Sequence, residues 1–196
     1  MTSTSTSTIV TGGCACEKVR YSIVFPAETQ WPLENNGTCQ CTTCRKWTGA
    51  LLPQSISVPT ASIDPPFSTQ PSYTQWASSN SAKRGFCSTC GSSLTFTYDA
   101  DPDSTEIHVG SIDEHILLGA KNGEEYHGEH GTKATRKDGG IGKLLTRTDR
   151  SSNIWWENAI EGVTDDRPGL KFWRERSDGT GFETLEELNL TRSRSK

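Results

Sequence analysis

Apolar residues along this chain come in short alternating runs, with no sustained helical stripe. Residues 19–25 (Val-Arg-Tyr-Ser-Ile-Val-Phe) alternate apolar and polar positions, as a half-buried strand must, because successive strand side chains point to opposite faces. Runs at 54–58, 72–76, 93–98 and 106–110 predict further strands, with Leu94, Phe96 and Tyr98 sharing one face. Segment 153–160, with Ile154-Trp155-Trp156, fits either a strand or a short helix. Between 119 and 153 the pattern breaks into a glycine-rich polar insertion, and so long a loop in a compact domain is functional or disordered. Thr2 to Thr8 is a Ser/Thr repeat that reads as a disordered tail, and the chain is polar again from Ser177, with a short amphipathic piece at 182–190.

These elements predict a mostly β, turn-rich single domain over 9–176, flanked by tails at 1–8 and 177–196. At 196 residues with 32% apolar content, its core should be thin for its length, so that crosslinks by metal would help to hold it. A net charge of −4 gives no basic excess for nucleic acid. No apolar run reaches membrane-spanning length, and the N-terminus lacks the basic and apolar regions of a secretory signal.

The chemistry lies in the cysteines. All seven fall in three clusters: Cys14-x-Cys16, Cys39-x-Cys41-x-x-Cys44 and Cys87-x-x-Cys90. Such spacings let two thiolates of one turn reach a single soft metal ion. An odd, clustered set without a signal sequence predicts a reduced, cytoplasmic protein with metal-bound thiolates. Cys39, Cys41 and Cys44 are close enough to share one ion, and the two outer pairs together make a four-sulfur site. Spacing also permits Cys14 and Cys16 to join part of the middle cluster, but a division into four and three strands no thiolate. Structural zinc takes four protein ligands and catalytic zinc typically three, so the count points to one closed and one open site. Three thiolates make zinc a weak Lewis acid, better suited to holding a soft sulfur nucleophile than to generating hydroxide. A thiol-containing small molecule is therefore the expected substrate.

Gly13-Cys14-x-Cys16, Cys39-x-Cys41-x-x-Cys44-Arg45 and Arg84-x-Phe86-Cys87-x-x-Cys90-Gly91 together resemble the signature of the glutathione-dependent formaldehyde-activating enzyme family, whose domain is shared with centromere protein V. The resemblance covers about residues 9–112, with a weaker match over Ile154 to Phe172. It implies several small antiparallel sheets coiled about one another and two Zn2+ per chain. Cys14, Cys16, Cys87 and Cys90 would hold a structural zinc, and Cys39, Cys41 and Cys44 a catalytic one. The implied reaction condenses formaldehyde with glutathione to S-hydroxymethylglutathione, a carbon–sulfur lyase reaction run in reverse. The insertion at 119–153 and the double Trp at 155–156 resemble a longer fungal subfamily, so a diverged member performing lyase, hydrolase or isomerase chemistry on another metabolite is a second expectation. A non-enzymatic zinc module, with both metals structural, is the third.

Other residues carry alternatives. Arg45 and Lys46 can receive a substrate carboxylate or form an ordinary surface pair. Trp47 can wall the pocket or enter the core. Lys83 and Arg84, beside the Cys87 knuckle, are expected to offset the charge of the four-thiolate site. His108, in a strand-like stretch, reads either as a surface or packed residue or as a ligand that closes the second metal site. His127 and His130, in the glycine-rich stretch, read as solvated, though either can supply a ligand or a proton, and His115 is a weaker candidate. Trp155, Trp156 and Trp173 are expected in the core or the pocket lining.

Overall fold

The computed structural model describes residues 8–25, 36–129, 131–136, 140–142, 145, 151–175, 181–182 and 187. The tail at 1–7, His130 and most of 177–196, including nearly all of the 182–190 piece, lie outside the described residues. Thr8, assigned to the tail by its composition, opens the first strand.

In chain order the strands are β1 (Thr8–Gly13), β2 (Arg20–Phe25), β3 (Asn36–Cys39), β4 (Gln54–Pro59), β5 (Ile63–Asp64), β6 (Tyr73–Ala77), β7 (Ala82–Cys87), β8 (Ser93–Tyr98), β9 (Asp101–His108), β10 (Lys121–Gly128), β11 (Gly131–Arg136), β12 (Ser152–Ile154) and β13 (Leu170–Lys171). Two short helices, α1 (Thr42–Thr48) and α2 (Glu114–Leu117), interrupt them. The fold is mostly β, with three sheets among the described residues. They are β1-β2-β5, the hairpin β10-β11, and a large sheet ordered β13-β12-β3-β4-β9-β8-β7-β6. Pairing is antiparallel except where β12 lies parallel to both β3 and β13.

Alternation decides which face of each strand is buried. In the small sheet Val10, Tyr21 and Ile23 turn inward, while Ile9 and Val24 are exposed. In the large sheet Ile56, Val58 and Ile107 turn inward to meet them, and all belong to one apolar cluster. Each such side chain contributes about 1.5–3 kcal/mol on burial. The opposite face of the large sheet carries Ser55, Ser57, Glu106 and His108 and is left open as a cleft. Leu94 departs from the expected face. Gly85 pairs with Thr95 but Phe86 with Ser93, so Leu94 is the extra residue of a bulge. It is buried in the core, whereas Phe96 and Tyr98 line the cleft.

The remaining segments resolve in mixed ways. Segment 153–160 is both things at once, ending β12 and then making a single 3-10 turn at Trp156–Asn158. The insertion expected as loop contains the β10-β11 hairpin, anchored by Arg136, which donates to Gly119 O (2.6 Å) and to Glu114 (2.9 Å). The parallel strands are held by buried Asn153. Its Oδ1 accepts from Thr38 Oγ1 (2.8 Å), and its Nδ2 donates to the carbonyls of Pro168 (2.9 Å) and Leu170 (3.2 Å). Asn153→Leu strands those partners in the interior, each at about 1–3 kcal/mol. The expected loss is about 3 kcal/mol in a denaturant titration, with the far-ultraviolet circular dichroism of the native state kept.

Candidate metal centres and the cleft beside them

The outer cysteines meet where the two main sheets are joined. Cys14 and Cys16 sit in the turn after β1, while Cys87 ends β7 and Cys90 lies in the turn that follows. Their four sulfurs lie within 4.8 Å of one another. The backbone N–H of Val19 donates to Cys14 Sγ (3.2 Å), and the Ala15 N–H donates to Ser92 Oγ (3.0 Å), crossing from one knuckle to the other. Gly91, at φ +76°, supplies the left-handed residue that closes the second turn, and its N–H reaches Cys87 O (2.8 Å). Cys14 and Cys87 are buried; Cys16 and Cys90 are exposed.

The middle cluster is local. Cys39 is the last residue of β3, Cys41 caps α1, and Cys44 is in its first turn. The Cys44 N–H donates to Cys41 Sγ (3.3 Å), and Gly49 at φ +70° ends the helix. These three sulfurs also lie within 4.8 Å of one another. The structure thus divides the cysteines four and three, and Cys14 and Cys16 do not join the middle cluster.

Gln40, between Cys39 and Cys41, is fully buried. Its N–H donates to Ile154 O (3.1 Å), and its carbonyl accepts from Asn158 Nδ2 (3.3 Å). Its Oε1 accepts from Arg45 Nη2 (2.8 Å) and Thr164 Oγ1 (2.6 Å), and its Nε2 donates to Thr164 O (3.3 Å). Arg45 also donates to Leu51 O and Asn158 O, both at 2.8 Å. The Arg45 guanidinium therefore braces the metal loop against the segment after β12. Lys46 is exposed, and neither residue is among those lining the cleft.

Both clusters fit a soft cation. Side-chain hydrogen bonds from Cys39 and then Cys44 hold the Cys41 thiol far below the usual range, and the same contacts push Cys39 far above it. Three touching thiols do not ionise together without a cation between them. At the outer site, hydrogen bonding to Ser92 lowers Cys90 to about 5. The donor sets are thus four sulfurs and three sulfurs.

The two sites differ in surroundings. Cys39, Cys41 and Cys44 line an open cleft of about 670 Å³, walled by Ile154 and Trp155 and floored by Arg84, Phe96, Glu106 and His108. None of the outer cysteines lines it. Arg84 is buried, donates to Cys44 Sγ (3.3 Å) and Ser78 Oγ (2.6 Å), and lies 5.0 Å over the Phe96 ring. Its expected position beside the four-thiol site is thereby corrected. In a strand, residue 84 faces away from residue 87, so Arg84 enters the cleft while Cys87 enters the core. Lys83 instead pairs with Asp99 at the surface (2.7 Å).

Of the other candidates, Trp47 stacks on Trp76 (5.5 Å) and meets Phe86 edge-on (5.4 Å), away from the cleft lining. Trp156 is buried with Phe182, and Trp173 packs against them. His115 and His127 are exposed. The described hairpin residues of the insertion do not line the cleft, although Ser152 does. No helix among the described residues is long and apolar enough to cross a membrane.

Two sulfur clusters, one closing a junction and one opening on a cleft, define a β domain whose cysteines could hold two metal ions. The model of the family described as "Glutathione-dependent formaldehyde-activating enzyme" matches residues 9–128, a span that includes all seven cysteines, and the chain belongs to that family. The weaker resemblance at Ile154 to Phe172 falls outside the matched range. No curated protein matches the chain. Among solved structures, it is similar to a crystal structure of a Rhodobacter sphaeroides protein. That likeness has 20% identity and a TM-score of 0.40, covering 52% of this chain and 85% of the other.

Removing the guanidinium from Cys44 should weaken one site selectively. Arg84→Leu is expected to lower metal affinity of the three-cysteine site by about 10–100-fold in competition with a chromogenic chelator. The four-cysteine site should keep its affinity, since Arg84 does not touch it.

Proposed function

We propose that this protein is a cytoplasmic, zinc-dependent carbon–sulfur lyase, run in reverse as a synthase, acting on a small aldehyde–thiol adduct with glutathione as the thiol. Zinc is assigned to both sites from their all-thiolate donor sets. The observation that carries the reading is the asymmetry between them: the three-sulfur cluster lines a cleft of ligand size and the four-sulfur cluster does not. Zinc held by Cys39, Cys41 and Cys44 would supply an open position suited to a thiolate sulfur. Cys14, Cys16, Cys87 and Cys90 would hold the structural ion. The thiol clusters require a reducing compartment, which supports the cytoplasmic location.

The protein's own groups prepare the site for sulfur chemistry. Arg84 offsets the negative charge gathered at Cys44 and is itself fixed by Ser78 and Phe96. Glu106, held by Ser55 Oγ (2.7 Å), and Trp155 bound the space in which the aldehyde carbon would approach the sulfur. Ile154 and Phe96 keep part of the wall apolar.

One observation favours a second reading with the same chemistry. Among the described lining residues the carboxylates are Asp101, Glu106 and Glu175, whereas the basic residue is Arg84, already engaged by Cys44. A thiol less anionic than glutathione would suit that charge pattern better, which supports a diverged substrate.

Both readings meet one experiment. Formaldehyde exchange is followed by two-dimensional exchange NMR at catalytic protein concentration, with glutathione in one sample and cysteamine in another. Acceleration with glutathione supports the first reading; acceleration with cysteamine alone supports the second; with neither, the synthase reading fails for this chain. Metal analysis should find two zinc ions per chain. Cys41→Ser is expected to lose one zinc and all acceleration while remaining folded, and Cys87→Ser to lose the folded state. If Cys41→Ser unfolds as badly as Cys87→Ser, the middle site is structural and the protein is a zinc module.

A further inference from the structure

The floor of the cleft is built in two rows across the large sheet. Arg84, Phe96, Glu106 and Ser57 stand opposite one another on β7, β8, β9 and β4, and His108 stands opposite Ser55 in the next row. The polar groups of the first row have partners: Arg84 with Cys44 and Ser78, Glu106 with Ser55, and Ser57 with Ser104 (2.7 Å). His108 does not. Both of its ring nitrogens are buried, and neither has a hydrogen-bond partner among the described residues. Trp47 Nε1 and Ser93 Oγ are also buried without partners, but those residues do not line the cleft.

An unpaired buried donor and an unpaired buried acceptor on one ring both destabilise the fold. No polar group among the described residues pairs with His108. Its strand neighbours Ile107 and Val109 face the core, and His108 occupies the cleft face with Glu106. Nor does His108 belong to the group of sulfurs that lie within 4.8 Å of one another. It faces the space where a ligand would sit.

Resting on the thiol–aldehyde reading above, we infer that His108 holds the oxygen of the one-carbon unit. Its ring N–H donates to the aldehyde oxygen as the thiolate adds, and afterwards to the hydroxyl oxygen of S-hydroxymethylglutathione. The sulfur lone pair forms the C–S bond and the C=O π pair moves onto oxygen. That oxygen takes one proton from solvent, balancing the proton the thiol released. His108 starts and ends neutral. Burial, and after it the charge of Arg84, holds the imidazole down to about 4, so at neutral pH it keeps one N–H and one lone pair. A neutral donor is suited to the task, because an imidazolium would pair with the nucleophilic sulfur and blunt it.

The test compares S-hydroxymethylglutathione with S-ethylglutathione, in which a methyl group replaces the hydroxyl. Binding to the metal-loaded full chain is measured by NMR titration, together with the melting temperature of each variant. Wild type should prefer the hydroxyl compound by roughly tenfold, the worth of one buried hydrogen bond. His108→Leu should bind both alike, retain both metals and melt higher, because it removes two unpaired nitrogens. His108→Gln, which keeps a donor, should retain much of the preference. The inference is overturned if His108→Leu keeps the tenfold preference, or if it melts lower and loses metal, since the ring then serves the fold. If wild type binds both compounds without preference, His108 has no part in holding the oxygen while the glutathione reading stands. If wild type binds neither, the glutathione reading falls and the inference falls with it.

Discussion

The geometry of the three-cysteine cluster depends on a residue that contributes no sulfur to it. Gln40 is inserted between two cysteines and buried completely, and each of its polar groups is hydrogen-bonded. A buried amide tolerates few orientations once all its partners are fixed. That fixes the backbone between Cys39 and Cys41, and so the directions in which their sulfurs point. Arg45, Asn158 and Thr164 supply the partners from α1 and from the segment after β12. The C-terminal part of the chain is therefore a brace for the cluster in the middle of it.

The large sheet performs the second division of labour. With a side-chain period of two, Ile107 and Thr105 enter the interior while Glu106 and His108 enter the cleft from the same strand. One surface of the sheet stabilises the fold and the other lines the cleft with polar groups. The bulge at Leu94 moves one apolar residue from the second surface to the first. Without that extra residue, strict alternation would put Leu94 on the face of Phe96.

The grouping of the cysteines was legible in the sequence, because Cys-x-Cys and Cys-x-x-Cys spacings are short-range and their geometry survives any fold that keeps the turns. Alternating strands such as 19–25 were legible for the same reason. What brings distant residues together was not. Gln40 reads as an ordinary spacer, and apart from Arg45 its side-chain and carbonyl partners lie more than a hundred residues away. Arg84 sits three positions from Cys87, yet strand alternation sends it to the other cluster. A period-two argument applied to 82–87 would have found that, had its Ala-Lys-Arg-Gly-Phe-Cys run declared itself a strand; the glycine and paired cations hid it. Arg45, adjacent to a cysteine, looked like part of the site and is engaged behind it. The β10-β11 hairpin was hidden because its pattern is carried by glycine and charged residues, with little apolar alternation.

The two sulfur sites also differ in how much chain each encloses. Cys39 and Cys44 are five positions apart, whereas the contact between Cys16 and Cys87 spans 71 positions. The middle cluster is local in sequence, but the Gln40 that aims its sulfurs is held by Asn158 and Thr164, 118 and 124 positions away. The outer cluster exists only after a long loop has closed, and the entropy of that closure must be offset before the ion is held. A metal at the outer site would thus be coupled to closing the junction between the sheets, and one at the middle site to docking of the segment after β12.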